Sequence, residues 1–133
     1  MQTRPVRLSP GQDLRATLDA QLRAQGARAG FVLTGIGSLS VARLRFAGAA
    51  GPTELRGEFE IVTLAGSLSL DGPHLHMALS DADGRMLGGH VADGCIVRTT
   101  VEALLVLLPG WSFSRVHDDS SGYKELLVRA DHG

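Results

Sequence analysis

The chain has 133 residues, the size of one domain and enough to enclose one hydrophobic core. Hydrophobic residues make up 44% and charged residues 20%, which excludes a disordered chain. The 13 basic and 14 acidic residues leave a formal net charge of -1, which argues against a protein that grips DNA mainly by neutralising phosphates.

Pro5 to Leu8 reads as a short first strand. Ser9-Pro10-Gly11-Gln12 then has the chemistry of a helix start, with Ser9 as N-cap, Pro10 at the first helical position and Gln12 closing a capping box. Leu14, Leu18 and Leu22 follow at four-residue spacing, one apolar face of a helix that Gly26 would stop. From Ala29 the pattern becomes that of strands. Phe31 to Leu33 is a buried strand core, halted by a tight turn at Gly35-Ile36-Gly37-Ser38. In Val41 to Phe46, Ala42 and Leu44 alternate with Arg43 and Arg45. Gly48 to Pro52 is a loop and Phe59 to Leu64 a strand, with Gly66 as a bulge before Leu68. Asp71-Gly72-Pro73 turns into His74 to Ser80, and Asp81 to Gly84 leads to the segment around Met86. Ile96 to Leu108 is long and mostly apolar, which predicts a central strand buried on both faces. Its second half would suit a helix equally well. After Pro109-Gly110, Trp111 to Val116 and Tyr123 to Val128 form two last short strands. Without a linker, charge run or repeat, residues 1–133 read as a single α+β domain. Cys95, the only cysteine, permits no intrachain disulfide, and no apolar run resembles a signal peptide or a membrane span, so a cytoplasmic, reducing compartment is expected.

His74-Leu75-His76 carries the sharpest chemical signal. Residues two apart in a strand share a face, so the two imidazoles project side by side. His90, after Gly88-Gly89, lies on a return strand able to bring it to the same face. Three neutral imidazoles with an open fourth position suit Zn²⁺ or another first-row divalent ion. The alternative is three partly exposed histidines bonded to the backbone or to one another. Glu58 and Glu60 flank Phe59, and Glu102 lies within an apolar strand, where a charge needs a partner. Glu102 is either an additional ligand or the ion-pair partner of an arginine such as Arg98. Gly35-Ile36-Gly37-Ser38 lacks the third glycine of a dinucleotide fingerprint and the Lys-Ser/Thr of a phosphate loop. Arg115, Asp118 and Asp119 precede Ser120-Ser121-Gly122 and read as a turn held by aspartate side chains.

Four pieces in order carry a resemblance. They are Gly35-Ile36-Gly37-Ser38 with Ala42 and Leu44; Gly57 to Leu64 with Gly66; His74-Leu75-His76 through Ser80 and Gly84 to Gly88-Gly89-His90; and Phe113-x-Arg115 through Asp118 to Tyr123-x-Glu125-Leu126. Together they resemble the PPC (plants and prokaryotes conserved) domain across nearly the whole chain. The resemblance implies a central antiparallel sheet with flanking helices and a homotrimer assembled through the sheets. Plant members join the domain to AT-hooks that grip A·T-rich DNA. This sequence has no Arg-Gly-Arg-Pro hook, so any DNA binding by it alone is expected to be weak. In plant members the stretch matching Gly57, Glu58, Phe59, Glu60, Ile61 and Val62 contacts protein partners, though Glu58 stands where arginine is usual. The domain also looks akin to acetolactate decarboxylase, whose zinc is held by a His-x-His pair, a third histidine and glutamate. His74, His76 and His90 match those histidines, and Glu60 is the guess for a glutamate. Three functions follow: a trimeric DNA-associated or protein-interaction module, a metal-dependent lyase or hydrolase acting on a small oxygenated substrate, or a sensor whose ligand completes the metal sphere.

Overall fold

The computed structural model describes residues 1–132. Its elements run β1 (Gln2–Leu8), α1 (Leu14–Ala24), β2 (Ala29–Arg45), β3 (Thr53–Ser69), β4 (His74–Ser80), β5 (Met86–Val91), β6 (Ile96–Leu107), β7 (Trp111–Asp118) and β8 (Tyr123–Ala130). Six strands form one antiparallel sheet in the order β1-β6-β2-β3-β4-β5. β5 curls back to pair Val91 with Leu44 and His90 with Arg45, so β2, β3, β4 and β5 close into a small ring. β7 and β8 form a separate hairpin.

Among the described residues α1 is the only helix, so the expected sheet is present but the expected set of flanking helices is not. The leucine periodicity reads through: Leu14, Leu18 and Leu22 are fully buried and join the strand side chains in one core. The helix begins later than its apparent capping box. Asp13 is the N-cap, accepting from the Ala16 amide at 2.9 Å, while the Gln12 side chain closes back on the Ser9 amide at 2.8 Å in the preceding turn. Gly26 ends the helix as expected, with φ +65°. Among the described residues no helix is long and apolar enough to cross a membrane.

Gly35 to Ser38 is not a turn. β2 runs straight through it for 17 residues. A Cβ on Gly37 would lie 2.4 Å from the Thr100 carbonyl oxygen, so the glycine serves close approach to β6 rather than chain reversal. Gly66 likewise lies within β3, where its pairing with Leu75 is regular, and the irregularity between β3 and β4 falls at Ile61/Thr63. β6 is a strand throughout, but buried on one face only. Val97, Val101, Ala103, Leu105 and Leu107 face the core, and Glu102 faces out. Its neighbours in register are Arg7 and Ile36, whereas Arg98 pairs with Glu58 at 3.2 Å. A charge at position 102 therefore needs no buried partner.

Candidate metal centre

β4 puts Leu75 and Met77 into the core, which turns His74 and His76 to the opposite face. β5 lies beside it with His90 directly opposite His76. Two glycines make this approach tight: a Cβ on Gly88 would lie 2.6 Å from the Met77 carbonyl oxygen, and one on Gly89 2.8 Å from that of Arg45. Larger residues would push β5 away from β4 on one side and β2 on the other, taking His90 with it.

The three rings converge. Their centroids are 4.9 Å apart for His74–His76, 5.3 Å for His74–His90 and 4.4 Å for His76–His90. One nitrogen from each ring lies within 4.8 Å of the others. His76 Nε2 and His90 Nδ1 are 3.1 Å apart, one donating and the other accepting according to tautomer. Two nitrogens on a tetrahedral ion at 2.0–2.1 Å would be roughly 3.3 Å apart, so this pair already has ligand spacing. The donor set, three imidazoles on adjacent paired strands, fits a borderline ion such as Zn²⁺ with a position left open.

The glutamates named from sequence lie elsewhere. Glu60 is opposite Ser80 at the far end of β4, and Glu102 is on β6. Among the described residues the group able to hold a metal contains the three histidines alone. In the stretch from Gly57 to Val62, Phe59 and Ile61 are buried, which leaves Glu58, Glu60 and Val62 facing outward.

The cleft beside the histidines, about 520 Å³, holds residues whose role the sequence did not announce. Arg45 enters it from the end of β2, and Arg115 and Glu125 from the hairpin. Asp118 does hold a turn, accepting from the Ser120 amide at 2.8 Å. Arg115, however, belongs to the cleft, where its guanidinium donates to the Ser67 hydroxyl at 2.9 Å. The overlooked signal was alternation: Phe113 is core, and a residue two further along shares its inward face.

These surroundings favour the neutral forms of His74 and His90. Burial, then the Arg115 charge and the neighbouring His76 and His90, push His74 from 6.5 down to about 4, against a smaller opposing pull from Glu125. Burial, Arg45 and His76 lower His90 as well. A histidine held below its unfolded value makes the unfolded chain bind more protons, so its contribution to stability is present above about pH 6.5 and is lost as pH falls towards 4. The metal-free protein should therefore melt at progressively lower temperature between pH 7 and 4.5. His74→Gln should flatten that slope, and an unchanged slope would show that the His74 environment does not do this.

Comparison with known proteins places this centre in context. Residues 1–109 match the model of the Plants and Prokaryotes Conserved (PCC) domain. The chain is 46% identical over 125 residues to a Synechococcus protein named bifunctional protein GlmU, a match covering 94% of this chain and 20% of that protein. It is 29% identical over 109 residues to AT-hook motif nuclear-localized protein 8 of Arabidopsis thaliana, covering 75% of this chain and 28% of that one. The chain thus spans between a fifth and a third of the length of these curated relatives. Among solved structures, a hypothetical protein from Salmonella enterica superposes with a TM-score of 0.93 at 43% identity, over 97% of this chain and 94% of that one. A metal-containing protein from Archaeoglobus fulgidus does so with a TM-score of 0.83 at 25% identity, over 96% and 94%. The family model matches most of the chain, and the chain belongs to the Plants and Prokaryotes Conserved domain family.

Proposed function

We propose that this chain is a metal-binding module in which His74, His76 and His90 hold one first-row divalent ion, Zn²⁺ being the best fit, with a coordination position left for a small oxygenated ligand. The convergence of one nitrogen from each ring within 4.8 Å carries this reading. The similar Archaeoglobus fulgidus protein, described as metal-containing, adds support. Such an ion would act as a Lewis acid on its ligand. The protein's part is to orient the three rings through strand pairing, disfavour protonation of His74 and His90 through burial and the nearby Arg115 and Arg45 charges, and wall the cleft with the hairpin. Both rivals named from sequence, a lyase or hydrolase and a ligand sensor, need this centre. Elemental analysis after reconstitution with Zn²⁺ and dialysis tests it: near one zinc per chain is expected, and a trace amount would refute the reading.

We further propose that the module is a homotrimer. Leu33, Ile36 and Val62 are 59%, 52% and 50% exposed on the neighbouring strands β2 and β3, an apolar patch suited to burial against another copy. Light scattering at micromolar concentration should give three chain masses, and one chain mass would remove the proposal. A DNA-associated role is the second reading, suggested by the likeness to an Arabidopsis protein named for its AT-hook motif, a motif this sequence lacks. With a net charge of -1, contacts made by this chain alone would be weak and sequence-independent. The outward residues Glu58 and Glu60 are the ones left open to a protein partner.

A further inference from the structure

The cleft beside the histidines is unusually cationic for a chain with no net positive charge. Elsewhere Arg43 and Arg56 approach Glu54, Arg23 meets Asp19, Arg98 meets Glu58 and Arg28 meets Asp131 at 2.6 Å, while Arg4, Arg7, Arg85 and Arg129 are exposed to solvent. Arg15, at the edge of the same cleft, is tied to Asp93 and to the Pro73 carbonyl. Arg45 and Arg115 differ. Both are half-buried, and among the described residues neither has a carboxylate partner. Arg115 gives one N–H to Ser67, which leaves the rest of its fork unused. Guanidinium groups withdrawn from water without a counter-charge are costly, and the planar fork matches the two oxygens of a carboxylate or phosphate.

We propose that this cleft binds a small molecule whose oxyanion is taken by Arg45 and Arg115 and whose adjacent oxygen reaches the ion at the histidines. The inference rests on the metal reading above and names the ligand class for the same site. Geometry supports the pairing of functions. Arg45 is directly opposite His90 across β2 and β5, and Arg115 lines the same cleft as His74. The volume of about 520 Å³ suits a metabolite rather than a polymer. Lys124 adds a further positive charge to the lining, and two carboxylates share it: Glu125 of β8, and Asp71, which accepts from the Arg115 amide at 2.8 Å. The carboxylates repel a second anionic group but accept from a hydroxyl, which favours a hydroxy acid or a phosphate ester of an alcohol over a polycarboxylate. Arg115 and Glu125 both come from the hairpin, which lies beyond the segment matched by the family model.

Cobalt substitution tests the inference separately from the metal reading. One equivalent of Co²⁺ should give the visible bands of a low-coordinate site, and their absence would refute the metal centre itself. With the bands present, millimolar glycolate or inorganic phosphate should shift them saturably. A shift by glycolate alone assigns a hydroxy-acid carboxylate, and a shift by phosphate alone assigns a phosphate ester. Arg115→Gln and Arg45→Gln should each bind Co²⁺ with an unchanged spectrum yet need about tenfold or more of the anion for the same shift. The two variants guard each other, because Arg45 does not touch Ser67 and Arg115 is not on the ring of strands. The proposal is overturned if neither anion moves the bands, or if both variants titrate like the wild type.

Discussion

Replacing His76 by alanine should lower zinc affinity roughly a hundredfold or more and leave the protein folded. A four-ligand protein site typically binds zinc with about 10–16 kcal/mol, so one imidazole is worth on the order of 2.5–4 kcal/mol. His76 is exposed, and its removal opens no cavity in the core. His74 is half-buried beside Arg115, so its variants mix ligand loss with repacking. His76→Ala is therefore the cleaner probe, with His90→Ala as its companion across the strand pair. Dialysed side by side with wild type after zinc loading, both variants should retain only a small fraction of the metal. Their circular dichroism should match that of the wild-type protein. Equal zinc in all three would leave the histidines bonded only to one another.

The second large effect is expected at Gly66. A Cβ there would lie 2.0 Å from the carbonyl oxygen of His74 and 2.7 Å from the Leu75 Cα. Both obstacles are backbone, so no side-chain rotation relieves the contact, and β4 must move away from β3. Forcing atoms into a packed region typically costs about 1–3 kcal/mol, and this overlap lies at or beyond the top of that range. For a chain of this size, Gly66→Ala should melt about 10 °C below wild type. Because the displaced residue is His74, zinc retention should fall as well. Gly48→Ala serves as the control: its φ is +74° but nothing lies within 4 Å of the added Cβ, so it carries backbone strain alone. A melting temperature for Gly66→Ala within 2 or 3 °C of wild type would show that β4 yields without cost.

The residues legible from sequence were those whose meaning is local. Leu14, Leu18 and Leu22 declare a helix face by spacing, and His74-Leu75-His76 declares a shared strand face in the same way. Even His90 could be placed, because a short hairpin returns it to its partner strand. Arg45 and Arg115 could not. They meet the same cleft only because β5 closes onto the end of β2 and the hairpin folds across, contacts between segments some 25 to 70 residues apart. The glycines misled for a related reason. Gly35-Ile36-Gly37 has the composition of a turn, yet what it answers to is the backbone of β6, distant in sequence and invisible in a local window. Glu102 was misjudged from its apolar neighbours, although its phase against Val101 and Ala103 already set it on the outer face.

β2 is paired with β3 along one side, with β6 along the other, and with β5 at its final residues. The hairpin has no strand neighbour in that sheet. It is joined through the Phe113 amide to the Arg28 carbonyl at 3.1 Å, the Arg115 amide to Asp71 at 2.8 Å, and the Arg28–Asp131 ion pair. Two-stranded ribbons are marginal by themselves, whereas a strand hydrogen-bonded on both edges opens only when the whole sheet does. Amide hydrogens of β2 should consequently exchange with solvent at the rate of global unfolding, and those of β7 and β8 much sooner. The same hierarchy predicts that the wall of the cleft carrying Arg115 and Glu125 opens sooner than the strands that hold the histidines.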